Sequence, residues 1–115
     1  MSERLSSLQA RQFLVELLGV GGDRSKAQVR VILLIAAFGP LHTRRLAKEC
    51  NLPLPAMAQS VYRLEMAGLI QRVKGVSARD TKVHLTSAGS DEVTRYETEL
   101  LGILDRMTNQ GGSPS

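Results

Sequence analysis

The stretch TRRLAKECNLPLPAMAQSVYRLEMAGLIQRVKGVSARDTKVHLT, residues 43–86, decides how this chain folds. Its first part, 43–50, carries Leu46 and Ala47 on one side of a helix and Arg44, Arg45 and Lys48 on the other. Asn51, Leu52 and Pro53 make a tight link. A second helix follows over 54–67, where Pro55 suits the first turn because its missing N–H costs nothing there. Met57, Val61 and Leu64 recur at helical spacing as an inward stripe, and Gly68 is a natural stop. The runs IQRVK (70–74) and TKVHL (81–85) alternate in the manner of strands, with GVSAR (75–79) turning between them. Two short helices followed by a basic β-ribbon predict a winged helix-turn-helix, an arrangement that sets one helix into a DNA groove.

The flanks read as packing support and as a means of pairing two copies. Residues 6–18 form an amphipathic helix in which Leu8, Phe13, Leu14, Leu17 and Leu18 share a side. Gly19 stops it, and Gly21 with Gly22 makes the link onward. Asp23 or Ser25 caps a helix running to about Phe38; its apolar interior is too long and too free of breakers for a strand. After Gly39-Pro40, Leu41-His42-Thr43 enters the next helix with Thr43 as its N-cap. Thr86 or Ser87 caps a last helix reaching about Met107. Its stripe of Val93, Tyr96, Leu100, Leu104 and Met107, widened by Leu101 and Ile103, exceeds what a small domain needs. The excess packs on the first helix, on a second copy, or on both; Leu8, Phe13, Leu14 and Leu17 with that stripe are the expected dimer interface. The expectation is a single mainly α (α+β) domain over 1–108, with its core motif at 25–86. Dimerisation helices lie at 6–18 and 87–107, and a tail of disordered composition at 109–115.

Composition narrows the class. Hydrophobic residues make up 43% of the 115 and aromatics only 3%, so the core is aliphatic, which favours helices over a β-sandwich. One cysteine, Cys50, cannot make an intrachain disulfide, and no apolar run approaches the ~20 residues of a membrane span. These features lead us to expect a soluble, cytoplasmic protein. The net charge of +4 is unevenly spread. Residues 24–82 carry eleven basic side chains against three acidic ones, while both flanks are net negative. A basic middle between acidic ends suits a polyanion-binding module.

The residues also resemble a known family. Leu46-Ala47 in the first motif helix, Leu64-Glu65-x-x-Gly68-Leu69-Ile70 at the end of the second, and Val83-x-Leu85-Thr86-x-x-Gly89 after the ribbon match the MarR-type (multiple antibiotic resistance regulator) winged helix-turn-helix repressors. The likeness covers roughly residues 25–92. It implies a homodimer with interlocked terminal helices, recognition helices in successive major grooves, and wings reaching the minor groove. It also implies a small-molecule effector as a partner, since family members often bind aromatic acids near the dimer junction. The family's Asp-x-Arg wing tip is here Ser77-x-Arg79, with Asp80 next along, and the chain has one long C-terminal helix where two are common. The start of the recognition helix, usually rich in Ser, Thr and Arg, is Pro53-Leu54-Pro55-Ala56-Met57-Ala58.

Physical roles follow for each candidate. Gln59 pairs with adenine and Arg63 with guanine, Ser60 adds a hydrogen bond, and Ala56 or Ala58 meets a thymine methyl. Arg44, Arg45 and Lys48 serve phosphates. Arg72, Lys74 and Lys82 line the ribbon, leaving Arg79 for a narrow minor groove. No nucleophile–base set, phosphate loop or carboxylate pair points to catalysis, and no cofactor is expected. His42 and His84 lack partners at ligand spacing, so no metal site is expected. Cys50 is either a buried small hydrophobe or an oxidation sensor. The rival function is a winged-helix protein-interaction module, suggested by the apolar opening of the second helix.

Overall fold

The computed structural model describes residues 24–112, together with Gly19 and Gly22. The helix expected at 6–18, with Leu8, Phe13, Leu14 and Leu17, lies outside the described residues. Helix α1 (Lys26–Phe38) opens on Ser25, whose Oγ accepts the Gln28 N–H at 3.2 Å, a cap worth about 1 kcal/mol. Val31 to Ile35 are all buried, so α1 is covered on every side and forms the centre of the domain. It stops at Gly39, whose N–H makes the last helical bond, to the Ile35 carbonyl, and whose φ of 84° turns the chain out of the helix.

Strand β1 (Leu41–His42) comes next, then helices α2 (Thr43–Glu49) and α3 (Leu54–Met66), strands β2 (Ile70–Val73) and β3 (Lys82–Leu85), and helix α4 (Ser87–Gly112). The three strands form one antiparallel sheet in the order β1-β3-β2. The domain is thus mainly helical with a small sheet, as expected.

Two expectations are corrected. The segment 41–43 does not simply lead into a helix: Leu41 and His42 pair with Val83 and Lys82 of β3. His42 Nδ1 also lies 3.1 Å from the Thr81 carbonyl oxygen. His42 is therefore the N-cap residue, without a side-chain capping bond, and Thr43 is the first helical residue. At the other end, α4 passes Met107 and continues to Gly112, into the stretch read as a tail; residues 108–110 contain neither Gly nor Pro to stop it.

The motif helices end alike. At α2, Asn51 (φ 55°) donates to the Lys48 carbonyl and Leu52 to that of Ala47. At α3, Gly68 (φ 81°) donates to Glu65 and Leu69 to Leu64. Both are Schellman closures, which satisfy carbonyls that the helix leaves open. The second explains the run from Leu64 to Ile70: Leu64, Leu69 and Ile70 are buried around the left-handed Gly68, which turns the chain from helix into wing.

The run from Thr86 to Gly89 closes the unit. Thr86 Oγ1 accepts the Gly89 N–H at 3.1 Å and donates to the Gly68 carbonyl at 2.6 Å, while the Thr86 N–H reaches the Leu69 carbonyl. One side chain thereby caps α4 and ties it to the end of α3. Gly89 sits so close to this turn that a Cβ there would stand 2.1 Å from the Leu69 carbonyl oxygen. The core is completed by Leu46, Met57, Val61, Leu64, Val83 and Tyr96, each at most 1% exposed. Fully burying an aliphatic side chain of this size is worth about 1.5–3 kcal/mol.

Candidate nucleic-acid interface

Burial of Leu46 and Ala47 fixes the rotation of α2, so Arg44, Arg45 and Lys48 face outward and are exposed, as the spacing predicts. Arg44 and Lys48 share one ridge, four residues apart. Arg45 is partly engaged: its Nε donates to Glu49 Oε2 at 2.9 Å, although 59% of the side chain stays exposed.

The wing brings a fourth cation to the same place. Its turn contains a short 3₁₀ segment, Ala78–Asp80, closed by the Asp80 N–H on the Ser77 carbonyl at 3.0 Å. Asp80 packs on the backbone of Gly75, where a Cβ would stand 2.6 Å from the Asp80 Cβ. Val76 in the turn is fully exposed, and Arg79 lies within the 3₁₀ segment. There it shares a cleft of about 620 Å³ with Arg44, Arg45, Lys48, Leu54 and Asp80. Four cations meet a single carboxylate in this recess, and a cleft lined by one sign of charge concentrates counter-ions. The His42–Thr81 contact holds one wall to the other.

The ribbon does not present its cations as one surface. In the β2–β3 register Arg72 faces Val83 and Val73 faces Lys82, which puts Arg72 and Lys82 on opposite faces. Arg72 shares the inward face with Ile70, Val83 and Leu85. Its Nη2 and Nε donate to Glu65 Oε1 at 2.8 and 3.1 Å. This hydrogen-bonded guanidinium holds the Glu65 carboxyl below its ordinary range. Arg72 therefore braces β2 against α3, on the face of the ribbon opposite Lys82. Lys74 and Lys82 are exposed at the open side of the wing.

On α3, Ala56, Gln59 and Arg63 are exposed and Ser60 is half-buried. The sequence reading missed Tyr62, 54% exposed on this outer side, and Met66, 69% exposed. Their signal was present, since both fall off the stripe of Met57, Val61 and Leu64. It also missed Leu54, Thr43 and Thr81 as walls of the cationic cleft.

The expected pairing residues divide. Tyr96 and Leu100 belong to the core of the chain itself, at 1% and 8% exposure. Burial pushes the Tyr96 phenol up, with Arg24 and Arg95 opposing it. Val93 and Leu104 are partly covered, whereas Met107 and the neighbouring Leu101 are open. Cys50 is buried at the end of α2, and burial pushes its thiol up, which favours the core reading over the sensor. No helix among the described residues is long and apolar enough to cross a membrane, and no three His, Cys, Asp or Glu side chains among them gather into a metal site.

No family model matches the chain, and no curated protein matches it. Solved structures do. NadR, solved in complex with 4-hydroxyphenylacetate, is 26% identical with a TM-score of 0.70, over 94% of this chain and 79% of that one. MepR, a transcription regulator of the Staphylococcus aureus multidrug efflux pump MepA, is 20% identical with a TM-score of 0.73, over 93% and 79%. A MarR family protein from Bacillus stearothermophilus is 17% identical with a TM-score of 0.67, over 96% and 74%. Motif spacing, sheet order and these likenesses agree: the chain has the winged helix-turn-helix fold of the MarR-type transcriptional regulators.

Proposed function

We propose that this protein is a sequence-selective double-stranded DNA-binding regulator of transcription that acts as a homodimer, and that it represses. The observation that carries the reading is the cleft where Arg44, Arg45, Lys48 and Arg79 converge beside the start of α3. In this reading α3 enters the major groove, α2 and the wing grip phosphates, and Arg79 reaches the minor groove. Pairing uses the open part of α4, around Leu101 and Met107. NadR's bound 4-hydroxyphenylacetate supports adding a small-molecule effector to the partners. The groove between α1, β3 and α4, lined by Ile35, Ala36, His84, Leu85 and Val93, is the concave apolar surface that would hold it.

The exposed Leu54, Tyr62 and Met66 favour a second reading, a winged-helix protein-interaction module. The concentration of cations beside them opposes it. The deciding experiment is selection of bound duplexes from random and genomic DNA at two salt concentrations. A regulator enriches a common sequence and loses affinity steeply with salt. No enrichment and no binding at low salt would refute the proposal.

A further inference from the structure

The outward side of α3 is built almost entirely of carbon. Leu54, Ala56, Ala58, Tyr62 and Met66 are exposed along it, and Gln59 and Arg63 are its only fully exposed hydrogen-bonding side chains apart from the Tyr62 hydroxyl. Leu54, Ala58, Tyr62 and Met66 stand four residues apart, so they form one continuous ridge along the helix. The polar pair, Gln59 and Arg63, lies alongside it. An apolar ridge of this kind ordinarily marks a contact surface, and its surroundings say with what. Leu54, at the start of the ridge, is itself a wall of the cleft that holds Arg44, Arg45, Lys48 and Arg79. The occupant must therefore offer negative charge on its flanks and apolar groups at its centre. A DNA major groove does so where it is rich in thymine, since the phosphates run along both edges and the C5 methyl groups project from the floor.

We infer that α3 reads its site chiefly through thymine C5 methyl groups packed against the ridge of Leu54, Ala58 and Tyr62, with Gln59 and Arg63 supplying two polar contacts. This deepens the DNA-binding reading and rests on it. Each methyl taken out of water contributes about 0.8 kcal/mol, roughly fourfold in affinity. Two methyls in a half-site then amount to roughly fifteenfold on the same scale.

The test replaces thymine by deoxyuridine, which removes the methyl and leaves the Watson–Crick edge intact. A duplex recovered by selection is made with dT or with dU, and binding of the full chain is followed by fluorescence anisotropy at two salt concentrations. The inference predicts that dU weakens binding at least tenfold, with an unchanged salt dependence. In the Tyr62→Ala and Leu54→Ala variants the dT and dU duplexes should bind more nearly alike. Equal binding of the two duplexes by the unaltered protein overturns the inference, leaves DNA binding standing, and hands the apolar ridge to a protein occupant. Equal sensitivity to dU in the variants overturns the assignment to this ridge. Absence of binding to any duplex at low salt overturns the inference and the DNA-binding reading together.

Discussion

Replacing Gly89 by alanine tests the packing that joins wing and α4 most sharply, because two effects predict opposite signs. Gly89 lies in the first turn of α4, and in an exposed helix interior alanine is favoured over glycine by about 1 kcal/mol. Here the new Cβ would stand 2.1 Å from the Leu69 carbonyl oxygen, 3.1 Å from the Leu69 carbonyl carbon and 3.0 Å from Leu85 Cδ2. The first two are backbone atoms and cannot rotate away. Relief requires moving α4 off the α3–β2 turn, which stretches the Thr86 bonds to Gly68 and Leu69. Overpacking of this kind costs about 1–3 kcal/mol, and disturbing the Thr86 cap about 1 more. After the helix-propensity gain is subtracted, the net loss is about 2 kcal/mol, or a fall in Tm of roughly 8 °C at about 4 °C per kcal/mol. Thermal unfolding followed by circular dichroism measures it. A Tm equal to or above that of the unaltered protein would refute the close-approach argument and leave Gly89 as an ordinary helix residue.

Other outcomes follow from the same geometry. Cys50 should react with a thiol reagent only slowly in the folded protein and readily in denaturant, since it is buried and its thiol is pushed up; fast labelling of the native state would reinstate a sensor role. Glu65 should titrate below the ordinary carboxylate range by NMR, and Arg72→Ala should return it there. A carboxyl depressed on folding contributes stability above its unfolded value near ~4.3, and loses it as pH falls through the folded value. The pair is half-exposed, so its effect on Tm should be small. The double change Leu101→Asp/Met107→Asp should weaken pairing of two copies by sedimentation without lowering the helical signal; an unchanged association state would remove α4 from the interface.

The legible parts of the sequence were those whose physics is local. The stop at Gly68 and the cap of α4, which the sequence left between Thr86 and Ser87 and the structure gives to Thr86, are each specified within six residues. Burial of Met57, Val61 and Leu64 followed from spacing alone. What escaped depends on partners distant in the chain. Strand β1 is two residues long and exists only because β3 pairs with it. The inward turn of Arg72 needed both the ribbon register and Glu65 on the preceding helix. Tyr96 and Leu100 read as interface because a stripe cannot say whether its own domain or a second copy covers it. In the candidate site, the outward cations of α2 were plain from the sequence, whereas their meeting with Arg79 in one cleft required the fold of the wing.

The central claim, that this cleft binds a polyanion, is tested most directly by the salt dependence of DNA affinity. The logarithm of the binding constant should fall linearly with the logarithm of salt concentration, losing about 0.9 in slope for every phosphate contact removed. For a dimer, the Arg44→Ala/Lys48→Ala variant removes four phosphate contacts and should therefore bind more weakly and with a slope shallower by roughly 3.6. A variant that keeps the affinity and slope of the unaltered protein would contradict the account.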